Sequence, residues 1–78
     1  MKYLATFYTH FGAIRFHKKC VMENMPAKMA PAPRELSASC GVCVRFEASC
    51  APPESENEDM ERCYFITHDG TYAPAEGQ

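Results

Sequence analysis

The chain changes its hydrophobic period several times. Residues 2–8 form a short, aromatic-rich run free of Gly and Pro, which predicts a β-strand. From His10 to Glu23 the period becomes helical: Ala13, Phe16 and Cys20 recur on one face, with Ile14 and Val21 on its flank. Thr9 is placed to cap that helix, its hydroxyl accepting from a first-turn N–H. Lys18 and Lys19 fall in the later half, where positive charge suits the helix dipole. Asn24 suits a left-handed C-terminal position, and Pro26 blocks continuation. Gly12 weakens the first turn by up to about 1 kcal/mol, which favours a late start.

Residues 27–32 predict a second strand with Met29 as its core residue. Pro31 and Pro33 remove hydrogen-bond donors and force an edge position or an early end. Residues 33–41 read as a turn or loop with one helical-looking piece, Arg34–Ser37. Residues 42–48 give the cleanest strand. Val42, Val44 and Phe46 point one way, and Cys43, Arg45 and Glu47 the other, so one face is packed and the other at least partly wet. Residues 50–62 are polar and acidic. Pro52, Pro53 and the Ser55–Glu58 pair suggest a short helix with a capping box, anchored by Met60. Residues 63–67 predict a fourth strand. The His68-Asp69-Gly70-Thr71 turn follows, then a short return strand at 71–73.

The order β-α-β-β-(short α)-β predicts an α+β fold. The expected form is a split βαβ, ferredoxin-like sandwich, an antiparallel sheet with helices on one face. A βαββ core with an irregular acidic loop is the fallback. At 78 residues the chain holds one domain, placed at 1–74, with 75–78 a frayed tail.

Composition narrows the function. With 46% hydrophobic and 12% aromatic residues the chain is not generally disordered. No apolar run approaches the roughly 20 residues of a membrane helix. Eight Lys+Arg against ten Asp+Glu disfavour a basic nucleic-acid module. Charge is uneven, however: residues 1–50 carry net +4 and residues 51–78 net −6. The ordinary reading is two differently solvated surfaces. The functional one is a mildly positive site in the first half, suited to an anionic group.

Five cysteines, Cys20, Cys40, Cys43, Cys50 and Cys63, cannot all pair within one chain. His10 and Arg15 interrupt the apolar start, and no cleavage pattern of a secretory signal follows. The expected compartment is therefore the cytoplasm, with reduced thiols. Cys20 lies on the apolar face of the helix and is expected to pack.

Cys40 is the candidate working thiol. It precedes Gly41, which permits a tight turn whose N–H groups can converge on an anion. Arg34 shares the loop, and Ser37 and Ser39 offer hydroxyl donors. Cations and N–H groups raise the thiolate fraction of a thiol whose ordinary pKa is roughly 8.5. Cys40 and Cys43 also form a Cys-x-x-Cys, but it runs into a strand instead of opening a helix, which is the wrong setting for thioredoxin chemistry. Cys43 is instead a candidate resolving thiol that could attack a persulfide on Cys40, or a residue that only packs. Joined with Cys50 and Cys63, the pair could also make a four-thiolate zinc site, although no second short-spaced pair is present.

Pro33-Arg34-Glu35-Leu36-Ser37-Ala38-Ser39-Cys40-Gly41, running into Val42–Phe46, resembles the Pro-Arg-Glu-Ile-Ser-Ser-Ser-Cys-Gly signature of the putative Se/S carrier protein-like family. Thr9-His10, Met25-Pro26 and Asp69-Gly70-Thr71-Tyr72 add to the likeness. The family normally has a longer second helix than residues 50–62 allow, and a small apolar residue at the position of Cys43. The resemblance implies a carrier that holds sulfur or selenium on Cys40 without turning over a substrate alone. It also implies a donor, such as a cysteine desulfurase or a TusA-like protein, and an acceptor. No cofactor, nucleic acid or membrane partner is expected, and the chain is expected to be a monomer or weak homodimer. The alternatives are a protein-interaction or regulatory domain with inert thiols, and the four-cysteine zinc module.

Overall fold

A computed structural model describes residues 1–36, 39–49 and 58–75. The elements run β1 (Lys2–Phe7), α1 (His10–Met22), β2 (Ala27–Pro31), β3 (Val42–Glu47), β4 (Met60–Ile66) and β5 (Tyr72–Pro74). Among the described residues the fold is α+β: one helix and a five-stranded sheet of order β2-β3-β1-β4-β5, antiparallel throughout.

Local chemistry explains the boundaries of α1. The Thr9 side chain accepts from the Gly12 N–H at 3.0 Å, which satisfies one of the free donors of the first turn. Asn24 has φ 60°, so the chain leaves the helix through the left-handed region. The helix does not start late, because Gly12 serves packing. It is buried, and a Cβ there would collide with the Asp59 side chain, so only glycine lets the chain before β4 approach α1 this closely. Arg15 pairs with the same Asp59 carboxylate, and the Tyr8 N–H donates to the Asp59 carbonyl at 2.9 Å.

Alternation along β1 defines two sheet faces. Tyr3, Ala5 and Phe7 join Ala13, Phe16 and Cys20 of α1, Val44 and Phe46 of β3, and Met60 and Cys63 of β4 in the main core. Phe16 is its hub, with ring centroids 5.4 Å from Phe7 and 5.0 Å from Phe46. The opposite face carries Leu4, Thr6, Cys43, Arg45 and Tyr64 by the same alternation and register. Among the described residues no helix lies on it. Even so, Leu4 and Cys43 are fully buried and Thr6 nearly so. The Arg45 guanidinium donates to the Tyr72 hydroxyl at 3.0 Å. Arg45 is on β3 and Tyr72 on β5, so this bond passes over β1 and β4, above Leu4.

Several expectations need correction. The face expected to be partly wet is so at Arg45 and Glu47, both exposed, but not at Cys43, which is fully buried with its Sγ–H turned to the Pro31 carbonyl. Met60 is not the anchor of a short helix. It opens β4 opposite Phe7, buried, and a register shift between Thr6 and Phe7 accommodates it. The expected second helix otherwise falls on residues outside the described ones, apart from a turn at Glu58–Asp59. Ala75 is not frayed: it is buried, and its N–H donates to the Cys63 carbonyl at 3.0 Å. The expected edge placement of the Pro31 strand does hold, since β2 borders the sheet.

Candidate functional site

The loop from β2 to β3 is closed at its base by the Ala32 N–H donating to the Gly41 carbonyl at 3.0 Å. Pro33 to Leu36 forms a turn, with the Leu36 N–H donating to the Pro33 carbonyl at 3.0 Å. Gly41 has φ 75°, the left-handed geometry that glycine adopts without strain, and the space where a side chain would project is open. The loop thus delivers Cys40 to the mouth of β3. There it sits half-buried and packs against the edge of the main core.

Exposure separates the thiols. Among the described cysteines Cys20, Cys43 and Cys63 are buried, and Cys40 alone keeps access to solvent. The Cys40 Sγ–H donates to the Val42 carbonyl at 3.6 Å, a contact made by the protonated side chain. Cys43 donates to the Pro31 carbonyl at 3.7 Å. Burial pushes the Cys43 thiol up; the Arg45 guanidinium pulls it down, and the neighbouring Cys40 adds to the rise. As placed, Cys43 is a packed thiol, not one poised to attack.

Among the residues expected to stabilise an anion on Cys40, Gly41 adjoins it, and Ser39 is engaged elsewhere. Arg34 is exposed in the Pro33–Leu36 turn and makes no hydrogen bond or ion pair with another described residue. The Ser39 N–H and hydroxyl both donate to the Glu61 carboxylate, at 3.0 and 3.1 Å. Those donors pin the loop to β4 instead of turning to the thiol. Ser37 lies outside the described residues. Glu61 is the residue that sequence reasoning missed. It sits between Met60 and Arg62, where the β1–β4 register shifts, and nothing in an acidic run marks one carboxylate for such a role.

The zinc reading fails on sheet parity. Ala5 pairs with Cys63 and Val44, and Thr6 pairs with Cys43, so Cys63 and Cys43 lie on opposite faces of the sheet. They cannot ligate one ion without rebuilding the strands. Among the described residues no cluster of His, Cys, Asp or Glu has metal-site geometry. Cys50 lies outside them. No described helix is long and apolar enough to cross a membrane.

The fold and loop together define a small α+β domain that, among the described residues, presents one accessible thiol at a glycine turn. The sequence matches the family described as "Putative Se/S carrier protein-like" over residues 2–57, and the chain belongs to that family. No curated protein and no solved structure matches it.

Proposed function

We propose that the chain is a sulfur or selenium carrier that holds a persulfide or perselenide on Cys40 and relays it between partner proteins. The observation behind this is the exposure pattern: one thiol with solvent access, on a loop, in a domain whose other described thiols are buried. The family's description supports the same reading.

In the proposed step the Cys40 thiolate attacks the terminal sulfur of a donor persulfide. A bond forms between Cys40 Sγ and that sulfur, the donor's S–S bond breaks, and the donor thiolate leaves with the electron pair. The transferred sulfur keeps its oxidation level, so no outside oxidant is needed. The partners are a donor of the cysteine desulfurase or TusA-like kind and an acceptor. The chain acts as a carrier and not as an enzyme, in a reducing cytoplasm. For the fold, the placement of β3 between β1 and β2 and the crossover through α1 support a split βαβ, ferredoxin-like reading.

A second reading, an interaction domain with inert thiols, draws on the outer side of α1, where Phe11 is 77% and Met22 83% exposed. One experiment separates the two. The purified chain is incubated with inorganic polysulfide and its intact mass measured. The expected result is a gain of sulfur that a Cys40→Ser variant loses. No gain, or a gain retained by Cys40→Ser, overturns the carrier reading.

A further inference from the structure

Lys28 and Arg45 face each other directly across the β2–β3 pairing, and both are exposed. The Arg45 guanidinium reaches over β1 and β4 to Tyr72, so the two cations flank the open face from its two sides. Lys2 adds a third cation on the same face, one row along from Leu4, which is Arg45's partner on β1. Glu47 pairs in register with Lys2, yet among the described residues the one ion pair is Arg15–Asp59, elsewhere on the molecule. Three cations therefore gather around one carboxylate, for a local excess of positive charge.

These side chains line a concavity of about 320 Å³, with Ile66 and Pro26 as apolar wall. The concavity lies toward the Glu47 end of β3, while Cys40 precedes its Val42 end. Arg45 is held in place by the Tyr72 hydroxyl through one guanidinium nitrogen. An arginine fixed in this way offers its other N–H donors in a rigid fork suited to a tetrahedral oxyanion.

We propose that this concavity binds the phosphate or sulfate group of a small ligand. Arg45 provides the directional contacts, Lys28 and Lys2 act as point charges, and Ile66 with Pro26 receives the ligand's apolar body. This site is separate from the thiol loop and does not depend on its function.

The test is an NMR titration of the amides of the full chain with inorganic phosphate, sulfate and phenyl phosphate, at ionic strength held constant with chloride. Saturable shifts are expected at Lys2, Lys28 and Arg45, with phenyl phosphate binding tighter than inorganic phosphate. Lys28→Gln is expected to weaken binding about tenfold, the loss of one charge-assisted contact. Its melting temperature is expected to stay level, because Lys28 is exposed and in no ion pair with a described residue. Arg45→Lys keeps the charge, loses the fork and is expected to bind more weakly. Shifts that chloride reproduces, affinity unchanged in both variants, or phenyl phosphate weaker than phosphate would each overturn the proposal.

Discussion

On one face of the sheet Phe16 of α1 lies between Phe7 and Phe46. On the other, Leu4, Thr6 and Cys43 are as well hidden, with no described helix above them. The first face is buried by apolar side chains supplied from another element. The second has no described helix above it, and what spans it among the described residues is the hydrogen bond of Arg45 with Tyr72. Long polar side chains shield hydrocarbon with their stems while their heads stay wet. The same arrangement leaves cations on a face that a packed helix would have covered, which is where the oxyanion site is proposed.

The largest expected effects test whether the two faces carry comparable weight. Phe16→Ala should cost about 3–5 kcal/mol, a large part of the total for a chain this size, and urea midpoints would show it. Leu4→Ala should cost about 2–4 kcal/mol, less because the flexible groups above it can settle into the gap. A cost for Leu4→Ala below about 1 kcal/mol, in the range of surface substitutions, would break the comparison and leave the second face a surface rather than a core.

A smaller effect sharpens the same point. Tyr72→Phe removes the acceptor for Arg45 at an exposed site and should cost about 0.5–1 kcal/mol by the same urea measurement. Combined with Leu4→Ala the two losses should be non-additive, because both act on one cluster. Strict additivity would mean that the Arg45–Tyr72 bond contributes nothing to covering Leu4.

Much of the helix-covered face was legible from periodicity. Ala13, Phe16 and Cys20 at helical spacing, the Thr9 cap and the Asn24 exit are local signals, and local signals survive into the fold. The other face was not legible, because alternation cannot tell a side chain facing water from one facing a neighbour's stem. Cys43 shows the difference. Its neighbours Arg45 and Glu47 are exposed, as alternation predicts, yet Cys43 is fully buried, its thiol on the Pro31 carbonyl of the adjacent strand. The thiol loop divides the same way. The left-handed Gly41 followed from residue type, whereas the Ser39–Glu61 contact joins residues 22 positions apart and left no mark in the sequence. Arg34 was linked to Cys40 by shared loop alone, and loop membership does not fix where a long exposed side chain points.

The smallest effect expected is a dependence on alkaline pH that reports on both faces at once. Burial raises Cys43 on one face. It also raises Cys20 on the other, where Glu23 adds to the rise and Lys19 opposes it. The folded chain then keeps these protons at a pH where the unfolded chain, with thiols near roughly 8.5, has begun to lose them. Stability from this source is complete below the unfolded value and declines as pH rises through the window up to the folded values. Urea midpoints measured at neutral pH and again above the unfolded thiol value should therefore fall. Cys43→Ala and Cys20→Ala should each remove part of that fall. If Cys43→Ala left the alkaline fall unchanged while Cys20→Ala reduced it, the Cys43 thiol would be hydrated in solution. The side chains over that face would then be too mobile to keep water out, and the two faces would differ in kind, not only in how they are covered.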